Sequence, residues 1–138
     1  LDQIKDCPGK LKLVILDAGR IPSDARLGMV FNEFPLLVEQ AVQACDDPNL
    51  WVLTANSLLE VSHVWEAQKR SVFGHFVAEG LKGEADANRD RKIDLAELSQ
   101  FVSTNVSAWV EKFGDKGETQ TPALLHGGER GERDHLCA

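Results

Sequence analysis

The sequence predicts an α/β fold, a parallel-rich sheet flanked by helices, and three observations carry that prediction. Residues 11–17 form a continuous apolar run through Leu13, Val14, Ile15 and Leu16, the pattern of a strand buried on both faces of a mostly parallel sheet. A second short apolar run, "LWVLTAN" at residues 50–56, reads as another strand. Between them, apolar residues at three- and four-residue spacing mark an amphipathic helix, and strand–helix–strand is the crossover unit that builds parallel sheets.

The crossover helix places Phe34, Leu37, Val38, Ala41, Val42 and Cys45 on one stripe, with Pro35 in its first turn, where a missing N–H costs nothing. Before it lies a Gly/Pro/Ser/Asp stretch at residues 19–24, and after it Asp46, Asp47, Pro48 and Asn49 make a turn. Val72, Phe73, Phe76, Val77 and Leu81 mark a third helical segment that ends where Gly80 and Gly83 bracket Lys82. Leu95, Leu98, Val102, Val106, Trp109 and Phe113 mark a longer helix, started by Asp94 with Glu97 three residues on, the pattern of a capping box. From Gly114 the chain turns polar, and residues 126–138 read as a mobile tail. Two strands leave two unpaired edges, so the expectation is a piece of a larger sheet whose earlier strands precede Leu1, with residues 1–9 ending a preceding connection.

With 138 residues there is room for one domain. The 22 acidic and 15 basic residues give a net charge of −7, which repels a phosphate backbone and argues against nucleic acid as a partner. No stretch has the length and apolarity of a membrane span and no basic-then-apolar leader opens the sequence, so no membrane association and a cytoplasmic location are expected. The three cysteines, Cys7, Cys45 and Cys137, form neither a CxxC pair nor a zinc pattern. Cys45 lies on the apolar stripe and reads as a small core residue.

The sharpest motif is "DANRDRKIDLAE", residues 86–97. A calcium loop of the EF-hand type needs oxygen ligands at positions one, three and five, a backbone carbonyl at seven, often a water-mediated ligand at nine, and a bidentate Glu at twelve. Asp86, Asn88, Asp90, Lys92, Asp94 and Glu97 fall on those positions, with Ile93 at the apolar eighth. Arg91 departs from the pattern, because it stands where glycine normally supplies a positive φ. Two readings stay open: a weak Ca2+ site, or an acidic turn whose Asp94 caps the next helix. Elsewhere, His75 among Phe73, Phe76 and Val77 reads as a surface or boundary residue, and His63 has no thiol or carboxylate partner in view. Trp51, Trp65 and Trp109 lie on three different elements and read as core or boundary aromatics.

"KLVILDAGR", then "LWVLTAN", then "RSVFGHFVAEGLKGEADANRDRKIDLAELSQFV", then "TQTPAL" together resemble the C-terminal half of bacterial caspase-like, metacaspase-related cysteine peptidases. The resemblance covers residues 10–125, and its most specific parts are "VFGHFVAEGLKGEADAN" and "QTP". It implies that Asp17, Ala18 and Gly19 occupy the turn in which the family carries Asp-Ala-Cys or Asp-Ser-Cys, so that Gly19 stands at the nucleophile. Glycine has no side chain with which to form an acyl-enzyme, and the family's His-Gly base belongs to an earlier strand. The implied function is a catalytically inactive pseudopeptidase that binds peptides or partner proteins, with pairing to an N-terminal half or to another copy expected at the open sheet edge. The alternative is a calcium-binding structural or regulatory module. Where a parent chain keeps the histidine, Gly19→Cys is expected to restore some cleavage.

Overall fold

A computed structural model describes residues 2–19 and 33–128. The expected turn stretch beyond Gly19 and most of the polar tail, including Cys137, lie outside the described residues. After a single helical turn, α1 (Asp2–Lys5), the first apolar run forms β1 (Lys12–Leu16). The second run forms β2 (Leu50–Thr54), and the two pair in parallel from Lys12 opposite Leu50 to Leu16 opposite Thr54. Helix α2 (Phe34–Cys45) lies between them in sequence, with Pro35 in its first turn and Asp46 in the left-handed region at its C-terminus. The protein is a mixed α/β fold with a small mixed sheet.

A short hairpin follows, β3 (Val64–Trp65) against β4 (Arg70–Ser71), and leads directly into α3 (Val72–Glu79). One wide helical turn, Gly80–Glu84, closes α3, and the loop 86–94 then delivers the chain to the longest helix, α4 (Leu95–Phe113). The last element, β5 (Ala123–His126), pairs antiparallel with the other side of β2, so the sheet order is β1-β2-β5. β5 is a strand that the sequence does not announce, because its four residues are too few to show a period and follow the breaker Pro122. The fold also continues past residue 125. His126 stacks on Trp51 with ring centroids 4.1 Å apart, and the Gly127 N–H donates to the Leu50 carbonyl at 2.8 Å.

Alternation along β2 divides the core between the two faces of the sheet. Leu50 and Val52 pack on α2 with Val38, Val42 and Cys45, joined by Val14, Leu16 and Leu125. Leu53 and Ala55 point to the other face and meet Val72, Phe73, Val77, Leu98, Val102 and Val106 of α3 and α4. Each of these fully buried large side chains contributes about 1.5–3 kcal/mol. The buried line of α2 is narrower than its sequence suggests. Val38, Val42 and Cys45 are covered, whereas Phe34, Leu37 and Ala41 form the adjacent line and face outward, because three strands are too few to reach them. Leu81 and Phe113, also expected on apolar faces, are 52% and 59% exposed at the ends of their helices.

Gly80 permits the close crossing of α3 and α4, since a Cβ there would lie 2.9 Å from a Leu98 methyl. Helix α4 begins with the expected capping box. The Asp94 carboxylate accepts from the Glu97 N–H at 2.8 Å, and the Glu97 carboxylate accepts from the Asp94 N–H at 3.2 Å. Both outer strands of the sheet, β1 and β5, are open on one side among the described residues. No helix among these residues is long and apolar enough to cross a membrane.

Candidate functional site

Open α/β sheets place their working surface beyond the carboxyl ends of the strands, where loops converge without disturbing the core. Here β1 ends at Asp17, Ala18 and Gly19, and β2 ends at Ala55 and Asn56. A cleft of about 460 Å³ opens there, walled by Asp17 and Ala18, by Ser62 and Val64, and by Glu66, Lys69, Arg70 and Ser71. Asp17 is exposed and accepts a hydrogen bond from the Ser71 hydroxyl. Ser71 in turn caps α3, its Oγ accepting from the Gly74 N–H at 2.8 Å. Gly74, inside the phrase "VFGHF", leaves room for this contact. A Cβ there would lie 2.8 Å from Ser71 Oγ and 3.1 Å from the Asp17 carboxylate.

Gly19 is held by its surroundings as well as by its backbone. Its φ is 112°, a conformation that L side chains rarely adopt, and a Cβ built on it would run into the Asn56 side-chain amide. Asn56 is only 2% exposed, and its Nδ2 donates to the Glu60 carbonyl at 2.8 Å. The space that a nucleophile would need is therefore filled. A cysteine side chain at residue 19 would have to displace the Asn56 amide.

The motif "QTP" supplies the polar links of the site. Gln120 is 1% exposed, and its amide satisfies four groups of two different segments. Its Nε2 donates to the Ala55 carbonyl at 2.9 Å and to Ser62 Oγ at 3.3 Å, while its Oε1 faces the His63 N–H at 2.9 Å and His63 Nδ1 at 3.0 Å. His63 Nε2 lies 2.9 Å from Glu118 Oε2, so this histidine does have a carboxylate partner, one that sequence distance concealed. That hydrogen bond, followed by one from the Asp115 N–H, holds the Glu118 carboxyl below the usual glutamate range. Glu60 accepts from the Thr121 N–H at 2.6 Å, from the Thr121 hydroxyl at 2.9 Å and from the Ser57 N–H at 3.0 Å. Burial pushes the Glu60 carboxyl upward, but the hydrogen bonds from Ser57, Thr121 and Thr119 outweigh it and leave the group below its ordinary value. Gln120 stands in the "QTP" phrase and Glu60 among Leu58, Leu59 and Val61, and neither setting shows in the sequence which distant groups the side chain bonds.

The acidic loop is a separate structure at the other end of α4. Asp86 accepts with one oxygen from the Asp90 N–H at 3.1 Å and with the other from the Arg91 N–H at 2.9 Å. Asn88 accepts from the Asp90 N–H at 2.8 Å, Asp90 from the Lys92 N–H at 2.8 Å, and Glu97 from the Asn88 N–H at 3.4 Å. Arg91 has φ 66° and Arg89 φ 61°. Position six of the motif thus adopts the left-handed turn without glycine, and the side chains at positions one, three, five and twelve surround one turn of backbone. Their oxygens are turned to backbone donors, and among the described residues no group of three or more His, Cys, Asp or Glu is gathered to hold a metal ion. Lys92 offers only its carbonyl in such a scheme, and Asp94 is committed to the helix cap.

The aromatic residues form a structural cluster. Trp65 meets His75 edge-on with centroids 4.8 Å apart and Trp109 at 5.6 Å, and Trp109 meets Phe113 at 5.2 Å. Two of the three tryptophans therefore share a cluster despite lying on different elements. Cys45 is buried on the inner face of α2, at its last residue, and Cys7 is exposed ahead of β1, neither of them at the cleft.

No protein-family model, curated protein or solved structure matches this chain.

Proposed function

We propose that this chain is the C-terminal part of a caspase-like domain that has lost peptidase chemistry and binds peptide or protein segments in the cleft beyond β1 and β2. The observation that carries the reading is the turn at Gly19. It keeps the strand-end position and the preceding Asp17 and Ala18 of the "LDAGR" stretch, yet a side chain at residue 19 is excluded by φ and by Asn56. A scaffold of this kind retains the geometry for laying a chain across strand ends while lacking a group to attack it. In the cleft the Asp17 carboxylate, fixed by Ser71, offers a partner for a cationic side chain, and Lys69 and Arg70 offer partners for an acidic one. On the same reading, the open edge of β1 is paired by a strand from an N-terminal half or from another copy.

Fluorescence polarisation with short labelled peptides carrying lysine, aspartate or leucine in an alanine–serine background tests this reading. Saturable binding that weakens in Asp17→Asn, without cleavage of the peptide, supports it. No binding by any of the peptides, or turnover of one of them, overturns it.

A second reading, calcium binding at residues 86–97, is favoured by one observation: Arg91 holds the positive φ that the sixth position requires, with its N–H on Asp86. Asp86, Asn88, Asp90 and Glu97 would supply side-chain oxygens and Lys92 its carbonyl. Calorimetric titration with Ca2+ should give saturable heat and a raised Tm that Asp86→Ala and Glu97→Ala abolish. A folded chain with neither heat nor shift returns the loop to a capped acidic turn.

A further inference from the structure

The loop that joins β2 to the hairpin, residues 57–63, is anchored by polar side chains instead of apolar ones. Leu58 is 48% exposed, Leu59 63% and Val61 36%, and Leu59 has φ 69°. The backbone contacts are long: Glu60 N–H to the Ser57 carbonyl at 3.3 Å, and Ser62 N–H to the Gly19 carbonyl at 3.3 Å. The short contacts come from the segment 118–121 and from buried Asn56, whose Nδ2 donates to the Glu60 carbonyl at 2.8 Å. Buried Gln120 bonds to Ala55 before the loop and to Ser62 and His63 at its end, so both ends of the loop are fixed. Glu60, near the tip, is held through Thr121. The loop also borders two hollows. Ser62 walls the cleft of Asp17, and Ser57 and Leu58 wall a hollow of about 240 Å³ beside Pro35 and Leu36 of α2.

We propose that residues 57–61 are a flap, a movable wall of the smaller hollow that ends at Ser62 on the rim of the cleft, with Gln120 as its fixed hinge and Glu60 as its releasable latch. Apolar side chains standing in water favour any arrangement that covers them, and the Glu60 latch, with the bonds from Asn56 Nδ2 to the Glu60 carbonyl and from Ser57 Oγ to the Thr121 carbonyl, opposes their movement. Released, Leu58, Leu59 and Val61 would close over the apolar part of a chain lying at the strand ends. This role at the cleft rests on the peptide-binding reading, whereas the latch itself does not.

Amide hydrogen exchange on the full chain tests the latch. Glu60→Ala should speed exchange at residues 57–61 about tenfold or more, and Thr121→Ala by a smaller factor, while β2 and α4 keep the exchange rates of the parent chain. Unchanged exchange at 57–61 in both variants overturns the proposal, as does a rise spread equally over β2 and α4. Release of the labelled peptides described above supplies the second arm, with dissociation from Glu60→Ala faster than from the parent chain. Equal dissociation rates overturn the flap's role at the cleft. A parent chain that binds none of the peptides overturns the cleft reading, and the exchange result then decides the latch alone.

Discussion

Gly19, in the turn after β1, has φ 112°, and Arg91, in the loop before α4, has φ 66°. The resemblance expects a side chain at the first position and the calcium-loop pattern expects glycine at the second, so each position carries the opposite of what its motif prescribes. The difference between the two angles explains why both are stable. A φ near 60° is the left-handed basin, which an L residue enters at a cost of about 1–2 kcal/mol. A φ of 112° lies outside that basin, and the Asn56 amide blocks the Cβ as well. Arginine is thus tolerated in an exposed loop with open space around it, whereas glycine is obligatory at a strand end backed by a buried amide.

The largest effect that would break this comparison is at Gly19. Gly19→Cys should destabilise the chain by about 2–4 kcal/mol, combining backbone strain with overpacking, and should produce no cleavage of fluorogenic peptides. Denaturant unfolding measures the loss. Adding Asn56→Gly should recover part of it by removing the clash while leaving the φ penalty, and full recovery would show that strain plays no part. A smaller and opposite effect is expected at the second position. Arg91→Gly should stabilise the chain by about 0.5–1 kcal/mol, since relief of the left-handed strain exceeds the entropy that glycine adds to the unfolded chain. Calorimetry on the same variant sharpens the calcium reading, because a site limited by Arg91 would then bind Ca2+ more tightly.

The smallest effect concerns acid sensitivity at Glu60. The folded value of Glu60 is lowered from 4.5, so its contribution is fully present above pH 4.5 and is lost as pH falls through the lower folded value. Glu60→Gln should therefore flatten the decline of stability below pH 4.5 and cost little in the slope above it. Urea titrations across that range check the sign. A variant with the same acid dependence as the parent chain would remove Glu60 from the account.

Legibility followed the range of the interactions. The apolar run of β2, the Val38, Val42 and Cys45 line of α2 and the box at Asp94 and Glu97 are local patterns, and each appears where the residues place it. The outward turn of Phe34, Leu37 and Ala41 was not readable, because it depends on how many strands the sheet presents. His63 looked partnerless since Glu118 stands more than fifty residues away in sequence (|i−j| = 55). Gln120 stands in the "QTP" phrase, yet nothing local in it shows that its amide bonds Ala55, Ser62 and His63.

By itself the sequence determined the α/β class, the parallel crossover, the start of α4 and the spacing of the acidic loop, all of which arise from periodicity and hydrogen bonds between residues a few positions apart. The tertiary structure alone decided that β5 adds a third strand beside β2, that Asn56 fills the space beside Gly19, and that Gln120 and the Glu60–Thr121 bonds hold the loop after β2. Those contacts join residues brought together only when the chain closes on its core, and no local pattern encodes which distant polar group will satisfy a buried amide.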